Sequence, residues 1–289
     1  MTRLGLVGRG PWSKNIVRTL AAFADVTVQS IAKTEPPPKG LDGALIATES
    51  ATHADVALPF IAAGIPTFIE KPMATSIADA DRIRAAAARS GAAIFVGHIF
   101  LYHPAFLAAL ELLPRLGAVR YLLCEGMNDN PRTDSSVLWD WLPHDLSMAH
   151  AILGCHPTTV TARKLAGDTS VQAAATTFRF DAVPVISTVS WLSSLRIRRT
   201  TIVTEKAMLI FDDKAERRLA LHQHGEVTFP AYADDAPLTR ELAAFLEMVR
   251  CGRADAPHLA IGTAIVQSIA AAEHAITAGG APVNIPREA

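Results

Sequence analysis

Residues 3–20, RLGLVGRGPWSKNIVRTL, pass from a short apolar run through two glycines into a stretch where Trp12, Ile16, Val17 and Leu20 recur at helical spacing. This is a strand, a tight turn and a helix in succession, with Pro11 suited to the first helical turn because its missing N–H is no loss there. The same alternation continues. Strand-like runs at 25–32, 43–48, 66–69 and 92–97 are separated by helical patterns at 50–64 and 75–91. Strands that alternate with helices build a parallel, doubly wound sheet with its ligand crevice at the carboxyl ends of the strands. Ser76 followed by Asp79 reads as a helix start, and Gly91 as the stop of that helix. Between 33 and 43 the chain reads KTEPPPKGLDG, too short for a crossover helix and a third strand, so the sheet is expected to lack one edge unit.

The glycine turn is Gly8-x-Gly10-x-x-Ser13, one glycine short of the dinucleotide fingerprint but in the strand-to-helix context which that fingerprint requires. Gly8 would make the tight turn, and Gly10 would let a pyrophosphate approach the helix N-terminus, with Pro11, Trp12 and Ser13 completing the cradle. About 20 residues past the glycines an NAD site ordinarily carries an acid for the ribose 2′-hydroxyl. Here that place holds Ser30, with Lys33 close by, and a hydroxyl beside a cation suits a 2′-phosphate. The expected cofactor is NAD or NADP, with the lean toward NADP. Glu35 is near enough to compete as a ribose partner, and Lys33 also reads as a solvated loop lysine.

The chain is 289 residues, half of them hydrophobic and 19% charged, with a net charge of −1 and no basic block. Such a chain affords a large core and offers nothing to nucleic acid or an acidic membrane surface. No window of about 18 uninterrupted apolar residues is present, so no membrane span is expected. Cys124, Cys155 and Cys251 are scattered and odd in number, which fits a reducing cytoplasm and neither a disulfide framework nor a metal site.

Several stretches together resemble the glucose–fructose oxidoreductase / inositol dehydrogenase / MocA (Gfo/Idh/MocA) family: GLVGRGPWSKN, ALIATESATHADVA, AGIPTFIEKPMA, VGHIFLYHP, LWDWLPHDLSMAHAILG, TVSWLSSLRIRRTTIV and the C-terminal GTAIVQSIAAAEHAITAGGAPVNIP. The resemblance implies a Rossmann domain over 1–97 and an α+β domain over 98–289 with an open, mostly antiparallel sheet. Repeated strand-like runs across 157–229, a hairpin turn at FDAVPV and helical runs near 237–250 and 258–278 agree with it.

It also implies an NAD(P)-dependent enzyme that interconverts a sugar-like secondary alcohol and a ketone, with nucleotide-linked or amino sugars as the nearest substrates. Lys71 of EKP would be the lysine between substrate and nicotinamide, and Asp140 and His144 would share a helix face. His144 would then be the general base. Asp140 alone reads equally as a helix cap, and Pro143 as a first-turn proline. Glu70 is expected to hold the nicotinamide ribose or to pair with a cation. Thr48 and His53 are expected near the cofactor, while a helix-capping or core role fits His53 and His98 nearly as well. His98, Asn128, Arg132 and Trp139 are expected to line the substrate site, while His222 and His224 look solvent-facing. Two rival functions stay open: an NAD-dependent glycosidase with tightly bound cofactor, and a non-catalytic NAD(P)-binding sensor. The open sheet implies a homodimer or homotetramer formed across it.

Overall fold

The computed structural model describes residues 1–132, 135–252 and 256–286. These form two compact units: 1–99 with 236–266, and 100–235 with 267–289.

The first unit is a five-stranded parallel sheet built from β1 (Thr2–Val7), β2 (Val26–Ile31), β3 (Gly43–Ile46), β4 (Thr67–Glu70) and β5 (Ile94–Gly97), in the order β2-β1-β3-β4-β5. β2 is an edge strand, because the chain crosses directly from it to β3, as the short 33–43 segment requires. The helices are α1 (Pro11–Leu20), α2 (His53–Ala62) after a 3-10 turn at Ser50–Thr52, and α3 (Ile77–Ser90). Each begins or ends where local chemistry dictates. Pro11 is the first residue of α1, Ser76 accepts the Asp79 N–H at the start of α3, and Gly91 closes α3 at a φ of 71°. Strands β3, β4 and β5 are buried along their whole length.

A single boundary at residue 97 does not describe this unit, because the chain returns to it at 236–266. The return is driven by one apolar face of α6 (Pro237–Cys251), where Leu242, Phe245 and Leu246 are fully buried. Phe245 lies edge-on to Phe68 of β4 (5.6 Å) and to Phe95 of β5 (5.8 Å). A helical period read in isolation says which face is apolar and not which sheet it covers. Gly43 permits the close approach, since a Cβ there would stand 3.0 Å from Val249 and 3.2 Å from Phe245.

The second unit is a nine-stranded sheet in the order β13-β12-β11-β10-β6-β9-β8-β7-β14. Its strands are β6 (Val119–Met127), β7 (Thr159–Ala166), β8 (Ala173–Phe180), β9 (Val183–Ser190), β10 (Ile197–Thr204), β11 (Met208–Asp212), β12 (Leu219–Gln223), β13 (Glu226–Thr228) and β14 (Val283–Asn284). All neighbours are antiparallel except β6 and β9. The β8–β9 hairpin turns on Asp181, at a φ of 51°, as FDAVPV predicts. Strand β6, which sequence reading did not assign, is the one that joins the two halves of the sheet.

α4 (Pro104–Leu112) packs on β11 and β12, and α5 (Val137–Leu153) on β6, β8 and β9. On the face away from α5, Tyr121, Leu123 and Ile186 stand exposed, with Leu123 and Ile186 directly paired across β6 and β9. α7 (Ala256–Thr277) is, among the described residues, the one helix long and apolar enough to cross a membrane, and 56% of its apolar window is buried inside the protein.

Two acids lie inside the first unit. Glu70 ends β4, where it accepts the Trp12 indole N–H on one oxygen and the Lys71 backbone N–H (3.2 Å) on the other. Gly97 makes room for it, since a Cβ there would sit 3.3 Å from the Glu70 carboxyl. Glu241, one turn before Phe245 on α6, is 1% exposed, and neither of its oxygens finds a hydrogen-bond partner among the described residues. Burial pushes the Glu70 carboxyl up to about 7. Burial first, and the neighbouring Glu70 second, push Glu241 well above the ordinary carboxylate range.

At these two acids the folded chain holds protons that the unfolded chain releases, so their contribution to stability falls as pH rises from about 5 toward 7. Glu241→Gln removes one such proton and one like charge beside Glu70. Urea denaturation across that window is expected to show a shallower fall than in the wild type, by up to about 1.4 kcal/mol per pH unit, one proton's worth. An unchanged slope would mean that Glu241 titrates in the fold as it does in the open chain.

Candidate active site

Gly8 directly follows β1 with a φ of 142°, and a Cβ on it would lie 2.2 Å from the Ala47 carbonyl oxygen and 2.6 Å from Ser13 Oγ. Only glycine fits there. Ser13 is buried and its hydroxyl donates to the same Ala47 carbonyl (3.1 Å), so the residue in place of the third glycine tethers α1 to the segment just past β3. Gly10 is the N-cap of α1. A Cβ on it would meet nothing within 4 Å, so its backbone is open to close approach. No side chain caps α1 and its first turn holds no acid, which leaves N–H groups and a positive dipole end presented together. These residues fit the pyrophosphate of a dinucleotide.

Beside this turn lies a groove of about 490 Å³ with Leu6, Val17 and Val28 among its walls and Ser30 at the end of β2. Arg9, Lys14 and Arg18 also line it. The groove runs between α1 and β2, where the absent crossover helix would otherwise pack. Lys33 is not among its lining residues; it pairs instead with Glu49, a contact that holds the Glu49 carboxyl below its usual range. Glu35 turns back to accept the Ala32 N–H (3.0 Å). The cations that line the groove are thus three others, which the sequence pattern had not singled out. Their signal was present, because Lys14 and Arg18 are four apart on the helix that the glycines open.

Lys71 follows Glu70 at the carboxyl edge of the sheet, half-buried, with a cis bond to Pro72. His53 is fully buried. Its Nδ1 lies 2.7 Å from the Pro72 carbonyl oxygen and its Nε2 3.2 Å from that of Thr48. Burial holds its pKa below the ordinary histidine value. Both ring nitrogens face backbone, so His53 fastens the segment after Lys71 to the end of β3, the core role that stood beside a cofactor contact in the sequence. The Thr48 hydroxyl accepts from Thr52 (2.9 Å). His98 is buried directly after β5.

In the second unit, Asp140 and His144 lie on α5, both nearly buried and four residues apart on one face. Asp140 is no cap. The helix begins at Val137, and the Asp140 carboxylate accepts from Trp191 Nε1 (3.0 Å) while pairing with Arg132 (3.0 Å). Pro143 is likewise inside the helix and not in its first turn. The His144 ring stands edge-on to Phe100, with centroids 4.9 Å apart.

Trp139, expected to line a pocket, is buried and donates its indole N–H to Glu273 (2.9 Å), which makes it an anchor for α5. Asn128 is half-buried and exchanges backbone hydrogen bonds with Ser190 (3.0 Å) and Ser193 (3.1 Å). His222 is half-buried on β12, and His224 is exposed at a φ of 54°. Among the described residues, no group of three His, Cys, Asp or Glu side chains stands together as a metal site would need.

Residues 11–98 match the model of the oxidoreductase family with an NAD-binding Rossmann fold, GFO_IDH_MocA. The chain is 29% identical over 157 residues to UDP-N-acetylglucosamine 3-dehydrogenase of Acidithiobacillus ferrooxidans, covering 53% of this chain and 49% of that protein. It is 26% identical over 192 residues to inositol 2-dehydrogenase of Rhizobium meliloti, covering 55% and 57%. The match thus spans about half the length of these relatives. A solved structure of the first superposes with a TM-score of 0.85 at 22% identity, over 96% of this chain and 98% of that one. Across its Rossmann unit the chain thus matches the Gfo/Idh/MocA oxidoreductase family, and the relatives it is similar to are dehydrogenases.

Proposed function

We propose that the chain is an NAD(P)-dependent oxidoreductase that interconverts a sugar-like secondary alcohol and its ketone. The observation that carries this reading is the Gly8–Ser13 turn, whose open Gly10 and uncapped helix start suit a dinucleotide within a family of NAD-binding oxidoreductases. The bound nicotinamide supplies or accepts the hydride. Lys71 stabilises negative charge on the substrate oxygen, His144 takes or returns the hydroxyl proton, and Asp140, held by Arg132 and Trp191, orients the substrate. Relatives named for UDP-N-acetylglucosamine and inositol support a ring alcohol as substrate, nucleotide-linked or free.

The cofactor assigned is NADP. Ser30 offers a hydroxyl where an acid would repel a 2′-phosphate, and Arg9, Lys14 and Arg18 line the same groove. Three cysteines, scattered along the chain and odd in number, support a cytoplasmic setting. The exposed Tyr121, Leu123 and Ile186 on the open sheet face support self-association there.

Three measurements test the reading. Calorimetric titration should give tighter binding of NADPH than of NADH, and Ser30→Asp should reverse that order; a wild-type preference for NADH removes the NADP assignment. Turnover should be sought with a panel of sugars and cyclitols that includes UDP-N-acetylglucosamine and myo-inositol, read by nicotinamide absorbance. On any active substrate, His144→Asn and Lys71→Ala should each lower kcat by about 100- to 10,000-fold, and near-wild-type turnover would take the residue out of the chemistry. Light scattering at micromolar concentration should report a dimer or tetramer that Leu123→Lys with Ile186→Lys converts to monomer; a wild-type monomer defeats the sheet-face interface.

A further inference from the structure

Arg198 on β10 is 2% exposed, an unusual place for a guanidinium. Its Nη1 lies 2.9 Å from Asp145 Oδ1, while the other Asp145 oxygen accepts from Ser187. Its Nε and Nη2 have no partner among the described residues. Stability does not account for this arrangement, because a buried ion pair with unmet donors commonly does no better than well-packed apolar residues of the same volume. What the guanidinium does have is two aromatic faces. Its Cζ lies 4.7 Å from the Phe100 ring centroid and 5.1 Å from that of Trp141.

Those two rings flank His144, which stands edge-on to Phe100 at 4.9 Å and at 64° to Trp141 at 6.3 Å. Trp141, His144 and Asp145 occupy one side of α5 by helical spacing. The sheet is cleared for them at Gly126, the residue paired with Arg198 across β6 and β10. A Cβ there would meet Trp141 Cε3 at 2.8 Å and Arg198 Nη1 at 2.9 Å.

We propose that Arg198 is a positioning residue: clamped by Asp145 and stacked on Phe100 and Trp141, it fixes the aromatic wall that orients the His144 imidazole. The planar fork is what matters. A lysine would keep the charge and the ion pair with Asp145 but not the flat stacking surface. This inference rests on His144 as the proton-carrying residue only for its catalytic consequence, and its structural claim is read separately.

The test uses two variants of the full chain. Arg198→Lys keeps the charge, and Arg198→Met with Asp145→Asn removes both charges together, so that no lone carboxylate is left buried. Imidazole NMR signals of His144, assigned by their loss in His144→Asn, are compared with those of His53 and His150. The expected result is displaced or broadened His144 signals in each folded variant, with the other two histidines unmoved. On an active substrate, kcat should fall about 10- to 100-fold with cofactor affinity unchanged.

His144 signals that coincide with wild type in every variant that folds overturn the proposal. If one variant does not fold, the other decides. Should His144→Asn itself keep full turnover, the base assignment fails, while the NMR comparison still decides whether Arg198 orients the ring.

Discussion

The approach of Gly8 to the Ala47 carbonyl, too close for any side chain, sets how the first unit presents itself. With β1 and β3 paired in parallel, that contact fixes where the chain leaves the sheet, and Ser13 fastens the departing helix to the same carbonyl. The direction of α1 follows, and with it the place of its bare N-terminus and of the groove along its flank. A side chain at position 8 would have to push α1 off the sheet. The loss would be felt at Trp12, whose indole N–H reaches across to Glu70, and so at the β4 end that carries Lys71. One backbone contact thus couples the glycine turn to the end of β4.

Both units hold ionisable groups away from water, and they compensate them unequally. Asp140 and Asp145 each receive two donors, from Arg132 and Trp191 in one case and from Arg198 and Ser187 in the other. Glu70 receives two as well, whereas Glu241 receives none among the described residues. The difference allots the protons. A carboxyl that accepts from two N–H groups is the better anion of a pair, and one without donors keeps its proton. Of the two buried acids in the first unit, Glu70 is therefore the one better able to carry charge near neutral pH, and it lies immediately before Lys71.

The features legible in the sequence are those whose causes lie within a few residues. Pro11 at the head of α1, Ser76 with Asp79, Gly91 and the Asp181 hairpin all act through neighbouring backbone, and each is found where the pattern puts it. The misreadings have distant partners. Lys33 looked free until Glu49, sixteen residues on, was folded against it. Trp139 looked like a pocket wall because Glu273, 134 residues away, cannot be anticipated from the local string. The return of 236–266 to the first unit is the same lesson at the scale of a helix. Pro143 misled in a different way, since a proline within a helix is costly in isolation and is tolerated in α5, whose surroundings bury it on nearly every side.

The shortened Rossmann half can now be read as a cause as well as an omission. Deleting the crossover between β2 and β3 strips the cover from the outer side of α1 and leaves Val17 and Val28 lining an open groove. Apolar walls exposed in this way carry a cost unless something flat and apolar lies over them, and an adenine ring is of that kind. The basic residues that line the groove come from the glycine turn and from α1 itself, one helical turn apart, and not from the loop after β2 where larger Rossmann domains keep theirs. The apolar walls and the charge along the groove thus come from β2, the glycine turn and α1, the helix already fixed in place by Gly8 and Ser13.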